Sequence, residues 1–168
     1  LSNYGAEEAK LAIKLLKEMG TPCLIHQPKY SMFERWVEGG LMDVLEQEGV
    51  GCIPFSPLAQ GLLTDKYLNG IPNDSRAAKA HGFLQANQVT EEKVHQIKKL
   101  NEIANSREQN LAQMALSWLL KDKRVTSVLV GASKPEQLAD SLKCMDYMHF
   151  DDSELLSIEN ILAQKAVH

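Results

Sequence analysis

The chain has 168 residues, 44% hydrophobic, 24% charged and 6% aromatic, with a formal net charge of -4. That composition describes an ordinary globular core, and the absence of a basic field argues against nucleic acid or an anionic membrane as a partner. No apolar run approaches a membrane span, no signal peptide is evident, and Cys23, Cys52 and Cys144 are odd in number and far apart. They read as buried thiols of a cytoplasmic protein, not as a disulfide framework or a metal site.

The chain opens on Leu1 in LSNYG, which reads as the end of a strand, so a preceding segment is expected. Residues 6–19 then place Ala9, Ala12, Leu15, Leu16 and Met19 at helical spacing, with Gly20 and Pro22 as a stop. Residues 23–27 form a short apolar strand ended by Pro28. A helix is expected over 34–48, with Val37, Leu41, Val44 and Leu45 on one face and Gly49 ending it.

A buried strand over 50–55 follows, broken by Ser56-Pro57, and the small residues Ala59-Gln60-Gly61 let backbone approach a ligand closely. Loops at the C-terminal ends of strands are where α/β folds hold their chemistry. Residues 64–90 lack any sustained apolar period and read as a loop or lid. Helical pattern resumes at Thr90, an expected N-cap, through Val94, Ile97, Leu100, Ile103 and Ala104. A second helix over 110–120 carries Leu111, Met114, Ala115, Trp118 and Leu119.

The β-branched run 125–130 reads as a strand, leading through Gly131 into a helix over 136–145. The last helix, over 152–164, follows the capping charge of Asp151-Asp152. Alternating strands and helices imply parallel pairing with helical crossovers. Periodicity alone leaves two arrangements open, a small flavodoxin-type sheet or half of an eight-stranded barrel.

Five motifs stand in order along the chain: LSNYG at the start, LIHQPKYS at 24–31, FSPLAQGLLTDKY at 55–67, MALSWLL at 114–120 and VTSVLVGASKPEQL at 125–138. Together they resemble the aldo-keto reductases, in particular the branch of bacterial glyceraldehyde-3-phosphate/methylglyoxal reductases and potassium-channel β subunits. The resemblance implies a (β/α)8 TIM barrel that binds NADPH. Residues 1–168 then form the C-terminal half of one barrel domain, from the end of strand five onward.

By that resemblance Ser2, Asn3 and Gln27 hold the nicotinamide carboxamide, which needs the donors and acceptors that hydroxyl and amide groups provide. Turn formation by Ser2 and Asn3 and strand-capping by Gln27 explain the same residues without a ligand. Phe55 matches the ring that stacks on the nicotinamide, although a Phe ending a strand is also an ordinary core residue. Ser56, Pro57, Leu58, Gln60 and Gly61 match the segment wrapping the pyrophosphate, and Lys66 and Arg76 match cations that clamp it. Solvated surface is the alternative for both cations.

Gly131, Ser133, Lys134 and Gln137 match the site of the adenosine 2'-phosphate at a helix N-terminus, favouring NADP over NAD. Ser133 and Glu136 also spell a capping box, which accounts for both without a ligand but leaves Lys134 unexplained. Asp140 and Ser141 stand where relatives carry Glu-Asn against adenine and ribose, a change expected to weaken those contacts.

His26 reads as a satisfied core histidine, and His81, His95, His149 and His168 have no partner at metal spacing, so no metal is expected. The catalytic Asp, Tyr, Lys and His of the family lie on its first four strands, outside these residues. The expected partners are NADPH and a small carbonyl substrate, with self-association into a homo-oligomer left open. Two functions stay open: an NADPH-dependent carbonyl reductase, or a nucleotide-binding regulatory module like the channel β subunits.

Overall fold

A computed structural model describes residues 1–68 and 89–163. The lid expected over 64–90 therefore lies largely outside the described residues, as do Arg76, His81 and His168. Helices dominate: α1 Ala6–Glu18, α2 Leu41–Glu48, α3 Glu91–Ser106, α4 Leu111–Leu120, α5 Pro135–Leu142 and α6 Asp152–Ala163. Two strands, β1 Ile25–His26 and β2 Gly51–Cys52, pair in parallel with Ile25 opposite Gly51 and His26 opposite Cys52.

Isolated parallel bridges widen this pair on both sides. Ser2 pairs with Gln27, Lys29 with Phe55, and Cys52 with Val125. Four segments thus lie side by side in the order in which the chain makes them. A flavodoxin-type sheet reverses its strand order at a switch point, whereas a barrel wall advances one strand at a time. The observed order is that of a barrel wall.

The strands are shorter than the sequence patterns suggest, and proline is one reason. Phe55 N donates to Pro28 O at 3.0 Å and Leu129 N to Pro54 O at 2.9 Å, but neither proline can donate in return. Lys29 N bonds instead to the side-chain Oδ1 of Asn3, at 2.8 Å. The run 125–130 keeps ladder bonds from Thr126 N to Cys52 O and Leu129 N to Pro54 O, yet its only described bridge is at Val125.

Two helices also depart from expectation. The one expected over 34–48 begins only at Leu41, after a 3-10 turn at Trp36–Glu38, because Gly39 and Gly40 break it and Gly40 takes φ 106°. The one expected over 136–145 is α helical for Pro135–Leu142 and then tightens into the 3-10 turn Lys143–Tyr147. In α1 the stripe is shifted: Ala9 and Ile13 are buried, whereas Leu15 is 47% and Met19 75% exposed.

The core lies between the sheet and the helices, where α1 packs on α2 and α3 packs on α4 and α6. Its largest buried side chain is Trp118, with Tyr67, Met32, Leu41 and Leu100 around the same cluster. The segment just after the small-residue loop is anchored here, since Leu62, Leu63 and Tyr67 are all buried. Cys52 and Cys144 are buried thiols, and burial pushes the Cys52 thiol up to about 12. The caps expected at Thr90 and Asp151 form, and α4 adds one. Thr90 accepts from Lys93 N, and Asn110 and Gln113 form a reciprocal capping box. Asp151 accepts from Glu154 N at 2.8 Å while Glu154 accepts from Asp151 N at 2.9 Å.

Candidate cofactor site at the C-terminal edge of the sheet

The parallel register lines up the candidate residues along one edge. Ser2 is bridged to Gln27, Lys29 to Phe55, and Leu129, two residues before Gly131, bonds to Pro54. All four segments run the same way, so Asn3, Gln27, Phe55 and Gly131 lie at their C-terminal ends. That is the face on which barrels and open α/β sheets carry ligand sites.

At the first end, Asn3 sits in the left-handed region with φ 55°. Ser2 Oγ donates to Gln27 O at 2.8 Å, and Asn3 Oδ1 accepts from Lys29 N at 2.8 Å. These bonds leave the Asn3 amide nitrogen and a second lone pair on each oxygen to meet a ligand. The turn roles foreseen for Ser2 and Asn3 are therefore real, and they coexist with ligand capacity. His26, on the opposite face of the strand from Gln27, is fully buried. Its Nε2 accepts from Tyr4 N at 3.2 Å while Nδ1 has no partner, so it is half satisfied rather than fully satisfied.

Beyond β2 the backbone is contorted in a way that residue types did not announce. Ser56, Ala59 and Gln60 take φ of 54°, 48° and 60°, and Gly61 takes 102°. For the non-glycine residues this costs roughly 1–2 kcal/mol each. Local bonds offset part of that cost: Gln60 Nε2 donates to Ser56 Oγ at 2.7 Å, and Thr64 Oγ1 to Gly61 O at 2.7 Å. The N–H groups of Ser56 and Leu58 find no acceptor among the described residues, and strained loops with free N–H groups suit anions. Phe55 is half-buried at the head of this loop, and Lys66 is exposed just past it.

The second candidate anion seat is organised differently from the capping box that Ser133 and Glu136 suggest. Lys134, not Ser133, is the N-cap of α5, and no side chain caps it. Gln137 reaches back instead, its Oε1 accepting from Ser133 N at 2.8 Å and Ser133 Oγ at 3.1 Å. Gln137 is as long as Glu136 and differs only in position. Pro135 has no N–H and Gln137 N donates to Lys134 O at 3.1 Å, so Glu136 N–H is the first-turn donor left without an acceptor among the described residues. Gly131, Ser133, Lys134 and Gln137 are all exposed.

Asp140 is not turned toward this seat. Its carboxylate takes Asn110 Nδ2 at 2.8 Å and Gln113 Nε2 at 2.9 Å, fastening α5 to the N-terminus of α4. Ser141 is likewise engaged, donating to Gln137 O at 2.9 Å. Both side chains are therefore engaged within the protein.

A cavity of about 660 Å³ opens beside Asn3, lined by Asn3, Tyr4, Gly5, Glu8, Lys29, Glu34 and Trp36. Its aromatic walls are partly exposed, Tyr4 by 43% and Trp36 by 37%, and Lys29 is paired with Glu34 at 3.3 Å. Apart from Asn3, sequence reasoning missed these lining residues. Trp36 lies off the apolar stripe of the helix expected over 34–48 and Tyr4 in the strand end LSNYG, so no period marked either for a site. Among the described residues no group of three or more His, Cys, Asp or Glu side chains is set to hold a metal, and no described helix is long and apolar enough to cross a membrane.

Two comparisons bear on this edge. Curated relatives include the L-glyceraldehyde 3-phosphate reductase of Escherichia coli (strain K12), 49% identical over 168 aligned positions that cover 97% of this chain and 48% of the relative. The protein of the same name from Escherichia coli O157:H7 is 50% identical with the same coverage. The chain spans about half the length of these curated relatives. The model of the aldo/keto reductase family matches residues 1–163, which take in the whole of the described edge. The chain belongs to the aldo/keto reductase family.

Proposed function

We propose that these residues are the C-terminal half of a (β/α)8 barrel, and that the intact protein is an NADPH-dependent reductase of small aldehydes and ketones, cytoplasmic in location. Glyceraldehyde 3-phosphate and methylglyoxal-like compounds are the proposed substrate class, the first in keeping with the names of the relatives. The observation that carries the reading is the row of Ser2, Asn3, Gln27, Phe55 and the Ser56–Gly61 loop along one edge of a parallel wall.

The donor set fits the cofactor. Ser2, Asn3 and Gln27 would hold the carboxamide, the Phe55 ring one face of the nicotinamide, and Ser56, Pro57, Leu58, Gln60, Gly61 and Lys66 the pyrophosphate. Lys134 with Ser133, at the uncapped start of α5, would hold the 2'-phosphate. When bound, NADPH supplies hydride to a carbonyl carbon. The carbonyl compound would enter through the cavity walled by Tyr4 and Trp36, beside Asn3. Arg76, expected on the pyrophosphate, lies outside the described residues. The family's proton-donating groups fall outside these residues, so this half contributes binding and orientation of the hydride donor.

The test is turnover of glyceraldehyde 3-phosphate and methylglyoxal by the purified intact protein with NADPH and with NADH. Oxidation of NADPH in preference to NADH is the expected result. Lys134→Ala should erode that preference by about tenfold to a hundredfold, the worth of a charge-assisted contact of roughly 1.5–3 kcal/mol. Equal losses for both cofactors would show that Lys134 does not read the 2'-phosphate. Tight cofactor binding without turnover of any carbonyl compound would favour the regulatory module instead.

A further inference from the structure

His26 is completely buried in β1, next to Gln27 but on the other face of the strand, so it touches no ligand of the candidate site. Its Nε2 accepts the Tyr4 N–H at 3.2 Å, which puts the imidazole proton on Nδ1. That Nδ1–H has no partner. A buried, unpaired N–H is destabilising, and an apolar side chain of similar size would fill the space without it. What histidine adds at this position is the acceptor.

The bond it accepts lies directly after Asn3, which is held at φ 55°. The neighbouring ties use the site's own side chains, Ser2 Oγ on Gln27 O and Asn3 Oδ1 on Lys29 N. Those same side chains also meet a ligand, through the Asn3 amide nitrogen and the remaining oxygen lone pairs. The Tyr4–His26 bond engages only backbone and a buried ring, so it survives occupancy of the site. Burial lowers the His26 pKa and keeps the ring in the neutral form that accepts.

We propose that His26 is a positioning residue: through Tyr4 N–H it holds the left-handed turn from which Ser2 and Asn3 face the nicotinamide carboxamide. The proposal rests on the carboxamide role given above to Ser2 and Asn3.

A double-mutant cycle on the intact protein tests it, with NADPH dissociation constants from isothermal titration and melting temperatures of the free protein. Asn3→Ala and His26→Leu should each weaken NADPH binding by roughly tenfold, and the double variant should lose little beyond the worse single. His26→Gln, whose side-chain amide carries an oxygen near the Nε2 place, should stay within about twofold of the native affinity. Independent losses that multiply in the double variant would overturn the positioning role, as would a His26→Gln protein no better than His26→Leu. If His26→Leu does not fold, His26→Gln decides alone. Retained affinity supports the acceptor role, and lost affinity at an unchanged melting temperature overturns it. An Asn3→Ala protein with native NADPH affinity would sink the carboxamide assignment itself, and this proposal with it, whereas an affected Asn3 uncoupled from His26 sinks the positioning role alone.

Discussion

Replacing Arg107 by alanine should cost the protein about 3 kcal/mol of stability, near the lower end of what breaking a buried ion pair costs. The Arg107 side chain is only 6% exposed and meets both carboxylate oxygens of Glu154 at 2.7 Å. It also donates to Tyr147 O at 2.9 Å, to His149 O at 2.8 Å and to Gln109 Oε1 at 3.0 Å, and lies 3.7 Å from the centre of the Phe150 ring. As the C-cap residue of α3 it thereby fastens that helix to the turn entering α6, where Glu154 completes the capping box with Asp151. Alanine removes the fork and leaves the Glu154 carboxylate without its cation. Glu154 is 25% exposed, so water screens part of that loss, which is why the lower end of the range applies. Arg107→Lys keeps the charge but cannot span two carbonyls and a carboxylate at once, and should still lose about 1–2 kcal/mol. Urea denaturation of the intact protein at neutral pH, read as a shift of midpoint at constant slope, measures both. A loss under about 1 kcal/mol for Arg107→Ala, the value of an exposed pair, would refute the reasoning.

Asn110→Ala removes both the α4 cap and the bond to Asp140, and should destabilise by about 1–2 kcal/mol in thermal unfolding; a change of only a few tenths would mean the cap is dispensable. Hydrogen bonds from Arg124 hold the Asp122 carboxyl below its usual value, so its contribution is complete above the ordinary carboxylate pKa of about 3.9 and is lost as pH falls through the lower folded value. The stability gap between the native protein and Asp122→Asn should therefore be flat near neutrality and shrink in acid, and a gap that widens in acid contradicts the assignment. Burial pushes the Cys52 thiol up to about 12, whereas Cys23 is only partly buried, so iodoacetamide at mildly alkaline pH should label Cys23 first. Labelling of Cys52 ahead of Cys23 in the native protein would show that β2 opens.

Much of the chain was legible in its sequence because local physics dominates there. Thr90 and Asp151 cap the helices that follow them, since a cap is a contact between residues two or three apart. The stripe of α4 came out buried for the same reason, as did Ile97, Leu100 and Ala104 of α3, with Val94 and Ile103 half-buried at its margin. The ordered motifs also marked the candidate site, residue by residue, along the strand ends.

What needed tertiary structure is whatever depends on partners far apart in sequence. Only the pairing of four neighbouring segments in chain order separates a barrel wall from an open switched sheet, because both have the same local periods. The two prolines that shorten the strands look alike in sequence whether their missing N–H faces a neighbour or solvent. Asp140 was expected beside adenine, and it is the approach of Asn110 and Gln113, some thirty positions earlier, that turns its carboxylate to α4. Left-handed backbone at Ser56, Ala59 and Gln60 is invisible in residue types that usually avoid it. Such conformations persist only where surrounding bonds over-determine them, and those bonds exist only once the chain has folded.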